Sequence, residues 1–344
     1  MQIGLVGYQG CGKSTLFHWL TGVAPDPALA HSGQSAMAIL PDPRLEELRK
    51  FYDAKKVTPA ALEIMDTPGL SRSHQGNAAK LAVLRDAGCL VLIVPAFGGA
   101  DPAAELQSFR EDLILADLEI VTGRMQRVEE ALRKPRAKQD RETFEEEQAV
   151  LQRVKEGLEA GRPLTEADMQ PHELRYTRAF RLLNEKPQLV VVNTADDERD
   201  FDRFAAVLPA ELPVFAAPLA LEVELAAMPP DERAAFQAEL GVGGADRGEL
   251  LWKLLRVSGR QTFLTAGQKE VRAWLVRRGA TAVEAAEAIH TDLAKGFIRA
   301  EIMNYHDLIR VGSEREMKAQ NLVRHEHKDY VVHEDDILLI RFSG

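Results

Sequence analysis

The chain has 344 residues, 45% hydrophobic and 28% charged, enough for two or three domains of about 100–200 residues with buried cores. Average shares of glycine (24) and proline (17) exclude collagen-like and Pro/Gly-rich disordered chains, and two cysteines, Cys11 and Cys89, cannot build a disulfide framework. The net charge of −10 argues against coating nucleic acid by bulk electrostatics, and the longest apolar run, 89–97, is too short to span a bilayer. A glycine-rich turn begins at Gly7, so no signal peptide is expected. The expectation is a cytoplasmic protein with no membrane partner and no sequence-specific DNA binding.

Residues 3–6 are a short apolar run ending at Gly7 and read as a buried strand. A helix follows over 13–20, then strands over 36–40 and 60–65 with a helix over 43–51 between them, and a buried strand over 90–94. Continuous apolar strands alternating with helices predict an α/β sheet covered on both faces. From 124 to 160 the pattern changes, with 18 of 37 residues charged. Met125, Val128 and Leu132 recur at helical spacing before Pro135, as do Phe144, Leu151, Val154 and Leu158 after it. Two long amphipathic helices paired antiparallel like a short coiled coil would give this pattern, and so would a single solvated helical excursion without a partner. A buried strand over 188–192 resumes the α/β pattern, which makes the helical segment an insertion.

After a helix over 250–255 the tail holds short strands over 271–276, 297–302 and 337–342 and a helix over 282–290, a small α+β module. Residues 260–344 carry 13 Lys+Arg against 13 Asp+Glu, so the acidic excess lies upstream and the tail is neutral. The expected partition is a nucleotide-binding domain in two parts, 1–121 and 187–258, a helical insertion over 122–186, and the tail module over 259–344.

Gly7-Tyr8-Gln9-Gly10-Cys11-Gly12-Lys13-Ser14 satisfies G-x-x-x-x-G-K-[ST] between a strand and a helix, the context a phosphate-binding loop needs. Glycines let successive backbone N–H groups converge on an anion, and the helix N-terminus adds its positive dipole end. The expected phosphate-binding residues are Gly7, Gly10, Cys11, Gly12, Lys13, Ser14 and Thr15, with Lys13 as the catalytic cation on the β- and γ-phosphates and Ser14 as a magnesium ligand. Asp66-Thr67-Pro68-Gly69 follows the strand over 60–65. Asp66 is the second expected Mg2+ residue and the Gly69 N–H the expected γ-phosphate sensor. Asn193, Thr194 and Asp196, at the end of the strand over 188–192, are the expected base-binding residues. A carboxylate accepts from N1–H and the 2-amino group of guanine, whereas adenine presents a lone pair at N1. A plain Asn/Asp-rich turn is the other reading of that stretch. Cys11 sits where the lysine and the helix dipole are expected to lower a thiol's pKa, or it simply fills the loop. His325, His327 and His333 read as surface histidines, because no acid or cysteine set stands at zinc-like spacing.

With these motifs the chain resembles the YchF-type Obg-like P-loop NTPases that carry a C-terminal TGS domain. The resemblance runs through the phosphate loop, LPDPRLEEL from Leu40, KKVTPA from Lys55, ILADLE from Ile114, and the tail strings FLTAGQKEVRAW, AIHTDLAKGFIRAEIMNY and HKDYVV. It implies a Ras-like α/β P-loop NTPase domain with a coiled-coil insertion and a small β-grasp-like TGS domain. It also implies ATP or GTP as ligand with Mg2+, ATP more often, and association with ribosomes through the TGS domain and the insertion.

The departures cluster on the chemistry. Gly10 replaces an Asn that the family associates with potassium-dependent hydrolysis, which leaves potassium in doubt as a cofactor. The switch threonine is missing, with Ser32 or Ser35 as loose substitutes. The histidine-bearing loop after the strand over 90–94 is shortened and has no histidine, and a late Ser-Ala-Lys element reads Pro218-Leu219-Ala220. Leu70 follows the D-x-x-G where other switch enzymes place a water-orienting glutamine. His74 and Gln75 are candidate replacements or ordinary loop residues. Two functions follow from this: a slow Mg-dependent P-loop NTPase switch that associates with ribosomes, or a nucleotide-binding regulatory scaffold with little or no hydrolysis.

Overall fold

The computed structural model describes residues 1–135, 137–162, 168–240 and 244–343. Its strands are β1 (Gln2–Val6), β2 (Gln34–Ile39), β3 (Val57–Thr58), β4 (Ala61–Asp66), β5 (Cys89–Ala96), β6 (Gln188–Thr194) and β7 (Val214–Ala217). Further along come β8 (Arg260–Thr265), β9 (Val271–Arg277), β10 (Phe297–Asn304), β11 (Arg324–Glu326) and β12 (Asp336–Phe342). One six-stranded sheet has the order β2-β4-β1-β5-β6-β7, and β1, β4, β5, β6 and β7 pair in parallel. Each parallel step needs a crossover, which is why helices alternate with these strands and why the strands are apolar on both faces. Leu90, Leu92 and Val94 of β5 and Val190 and Val192 of β6 pack against Leu106, Phe109 and Leu113 in the central core.

Those last three residues belong to an unbroken helix, Pro102–Leu132, opened by Pro102 and by the Asp101 carboxylate accepting from the Ala103 N–H at 3.0 Å. The expected boundary at 121/122 therefore falls inside a helix. The same helix that covers the sheet runs on into the insertion, where it meets the helix Lys138–Glu159. Val121, Val128, Val150, Leu151, Val154 and Leu158 share a core of their own, and Arg124 grips the buried Glu147 through two bonds of 2.7 and 2.9 Å. The paired reading of the charged segment is the one realised, because its apolar stripes have each other to cover.

The second sheet has the order β11-β10-β12-β8-β9-β3. β10 pairs antiparallel with β11 and β12, β8 antiparallel with β9, and β12 parallel with β8. The helix Ala282–Ile289 packs on this sheet and opens with a capping box in which Thr281 and Glu284 satisfy each other's N–H groups.

By contacts the chain forms two compact units, 1–36 with 63–245, and 37–62 with 246–344. This differs from the chain-order partition, which assigned 37–62 to the nucleotide-binding part. The physical reason is pairing: β3 adds to the edge of β9 in parallel, and the Lys55 N–H donates to Gln268 O at 3.1 Å. Arg44, in the helix Pro43–Tyr52, bonds Asp42, Glu334 O, Asp335 and Thr262, and Tyr305 donates to Glu47 at 2.6 Å. Among the described residues no helix is long and apolar enough to cross a membrane.

Candidate functional site

The loop after β1 turns into the helix Lys13–Thr21 through Gly12, which sits at φ +108°. A Cβ there would lie 2.3 Å from Asn193 Nδ2, so only glycine fits. Asn193, buried at the end of β6, uses both ends of its amide: Nδ2 donates to Cys11 O at 3.1 Å, and Oδ1 accepts from the Leu219 N–H at 3.2 Å. It thereby ties the loop to the start of the helix Leu219–Ala227. Lys13 is 6% exposed, and its ammonium donates to Tyr8 O at 2.8 Å and Gly7 O at 3.3 Å. A buried cation at a helix N-terminus opposes the dipole, and the hydrogen bonds that hold this one go to neutral carbonyls, an arrangement that favours an incoming anion. Cys11 differs from the sequence expectation. It is 2% exposed, and burial pushes its thiol up from the ordinary value, against the opposing pull of Lys13.

β4 delivers Asp66 to the same place. Ser14 Oγ donates to Asp66 Oδ2 at 2.6 Å, while Asp66 Oδ1 is buried with no hydrogen-bond partner among the described residues. Burial drives the Asp66 carboxyl up, with Ser14 and Lys13 pulling it down. A hydroxyl and a carboxylate with an unsatisfied oxygen are the donors a hard, oxygen-seeking cation requires, so the residues present fit magnesium. Thr67 braces the turn by donating to Leu5 O at 2.5 Å. Leu70 exchanges backbone bonds with Gly7 and Gln9 and buries its side chain in the central core at 1% exposure.

Gly10, Lys13, Ser14, Asp66 and Gly69 line one cavity of about 320 Å3. Gly7, Cys11 and Gly12, in the loop, and Thr15, in the helix that follows it, do not line it. Nor do Asn193, Thr194 and Asp196. Thr194 is buried, its hydroxyl unpaired among the described residues, and Asp196 is exposed, its carbonyl accepting from Arg199 at 2.9 Å. The lining also includes residues that carried no motif: Asp26, His31 and Gln34, the last accepting from the Asp26 N–H at 2.7 Å. Neither Ser32 nor Ser35 lines the cavity.

Lys80 also reaches it and was equally invisible in the sequence, since its one signal is a lysine in the opening turn of a helix. His74 holds a positive φ of 60° and places Nδ1 3.5 Å from Asp112, which also accepts from the Tyr8 hydroxyl at 2.9 Å. His325, His327 and His333 are exposed, and no group of three or more His, Cys, Asp or Glu among the described residues could hold a metal.

Residues 2–122 match the family model of the 50S ribosome-binding GTPases, and residues 261–343 match that of the YchF-GTPase C-terminal domain (DUF933). The ribosome-binding ATPase YchF of Haemophilus ducreyi is 31% identical over 365 residues, covering 99% of this chain and 98% of the relative. That of Bacillus subtilis is 31% identical over 367 residues with the same coverage. The Obg-like ATPase 1 of Oryza sativa subsp. japonica is 31% identical over 372 residues, covering 100% of this chain and 92% of the relative. The solved structure of the Schizosaccharomyces pombe YchF GTPase shares the fold, with a TM-score of 0.85 at 24% identity over 99% of this chain and 97% of that one. Identity of this order along the whole chain, joined to a complete phosphate-loop motif, makes this protein a member of the YchF/Obg-like family of P-loop NTPases.

Proposed function

We propose that this protein is a magnesium-dependent ATPase that works as a slow nucleotide switch and associates with ribosomes, as the names of its relatives say of them. One observation carries the nucleotide half of this reading: Ser14 and Asp66 meet at 2.6 Å in a cavity that also holds the Lys13 ammonium, and the second Asp66 oxygen has no partner among the described residues. In this reading Ser14 and Asp66 hold Mg2+, which when bound offsets charge on the β- and γ-phosphates. Lys13 exchanges its carbonyl contacts for phosphate oxygens, a charge-assisted bond in place of a neutral one. The backbone of Gly7, Gly10, Cys11, Gly12, Ser14 and Thr15 supplies N–H donors to the phosphates, and Gly69 meets the terminal one. Asp196, with Thr194 and the anchored Asn193, reads the base.

The preference for ATP over GTP rests on the relatives' names, and titration calorimetry with non-hydrolysable analogues of both tests it. Lys13→Ala is expected to abolish most of the binding; unchanged affinity in that variant would reject the site. Turnover is expected below about one per second, the range of switch NTPases left without a water-positioning residue.

A second reading, a nucleotide-binding scaffold that scarcely hydrolyses, is favoured by Leu70, whose side chain points into the core where a glutamine would serve water. Single-turnover hydrolysis with and without potassium separates the two. For the ribosome, co-sedimentation of the full chain in ATP-analogue and ADP states is the test, and equal pelleting in both would remove the switch.

A further inference from the structure

Two cations meet at Gly69. A Cβ on that residue would stand 2.7 Å from Lys13 Nζ, and its carbonyl accepts from Lys80 Nζ at 2.7 Å. Both lysines line the phosphate cavity, yet only Lys13 belongs to the loop motif. Lys80 comes from the opening turn of the helix Asn77–Asp86, where a cation opposes the positive end of the helix dipole, and no acidic residue in that turn offsets it. Among the described residues no carboxylate pairs with Lys80; its partner is the neutral Gly69 carbonyl.

The backbone that presents it is nonetheless held firmly. Asn77 is buried, accepts from the Ser71 N–H at 2.8 Å and donates to Ser71 O at 2.9 Å, which pins the helix start against the loop that follows Gly69. An ammonium with three donors, one of them engaged by a carbonyl, in a cavity whose carboxylates Asp26 and Asp66 do not pair with it, is a receptor for an anion.

We propose that Lys80 is the residue by which the site distinguishes a nucleoside triphosphate from the diphosphate: its ammonium leaves Gly69 O for the terminal phosphate. This rests on the phosphate-loop reading above and deepens it. A diphosphate is held by the loop and Lys13, whereas the third phosphate extends toward Gly69 and meets the second lysine. A lysine that merely tethered the Gly69 turn would, when removed, weaken both nucleotides alike.

Calorimetry with magnesium and either ADP or a non-hydrolysable ATP analogue, on the full chain and on Lys80→Met and Lys80→Gln, tests this. Both variants are expected to lose about tenfold or more in affinity for the triphosphate analogue while ADP affinity stays within about twofold, and Lys80→Arg is expected to retain the preference. Equal losses for the two nucleotides, or no loss for either, would overturn the proposal. Lys13→Ala keeps the two readings apart. If it binds both nucleotides as the unaltered chain does, the phosphate-loop site itself fails. If it binds neither while the Lys80 variants keep their preference, only the role of Lys80 fails.

Discussion

Gly12 and Asp66 show how much of the site depends on single atoms. Gly12→Ala combines a φ of +108° with a Cβ 2.3 Å from Asn193 Nδ2, so Asn193 must release Cys11 O. The expected cost is about 1–3 kcal/mol of stability together with loss of nucleotide binding, read by denaturant unfolding and calorimetry. Asp66 makes a prediction in pH. Its folded-state pKa is raised by burial, so its contribution to stability is full below the unfolded-state value of about 3.9 and is lost as pH rises through the folded value. Asp66→Asn, which carries no charge to bury, is therefore expected to melt higher than the unaltered chain at neutral pH in EDTA and to match it in acid. The same variant is expected to lose magnesium-dependent nucleotide affinity. A lower melting temperature for Asp66→Asn at neutral pH would contradict the burial argument.

At the scale of elements, the helix Pro102–Leu132 is the connection to watch. Its first half packs on the sheet and its second half forms the insertion, and Asp117 stands at the junction, fully buried. That carboxylate accepts from Arg85 at 2.7 Å, from the Leu183 and Asn184 N–H groups at 3.1 and 3.0 Å, and from Asn184 Nδ2 at 2.8 Å. It thus holds the chain's return from the insertion against the helix that left the sheet. Asp117→Ala strands Arg85 and three other donors and is expected to cost about 3–5 kcal/mol in urea unfolding. Leu151→Ala, in the separate core of the insertion, is expected to cost about 2–5 kcal/mol and leave nucleotide affinity unchanged. Altered affinity in that variant would show that the insertion and the cavity communicate through the helix they share.

For the whole molecule, the grouping of 37–62 with 246–344 predicts that the tail is not self-sufficient. Residues 246–344 expressed alone lack β3 on the sheet edge, the Arg44 contacts to Thr262, Glu334 and Asp335, and the Tyr52–Glu314 and Glu47–Tyr305 hydrogen bonds. The isolated fragment is expected to exchange its amide hydrogens faster than the same residues in the full chain, and equal protection would refute this.

Much of the molecule was legible in the sequence because its signals are local. A strand, a glycine turn and a lysine at a helix start are adjacent residues whose backbone chemistry needs no distant partner, and continuous apolar runs mark buried parallel strands wherever they pair. By itself the sequence determined the α/β class, the phosphate loop, Asp66 after its strand and the two amphipathic helices of the insertion. Tertiary structure decided the rest, since desolvation and long-range contact set it. Burial, outweighing the nearby lysine, sends the Cys11 thiol up. A contact spanning the chain from Cys11 to Asn193 makes that asparagine a strut of the loop. Strand pairing across the chain moves 37–62 into the C-terminal unit. The return of one helix against Gly69 puts Lys80, a residue in no motif, beside Lys13 in the cavity.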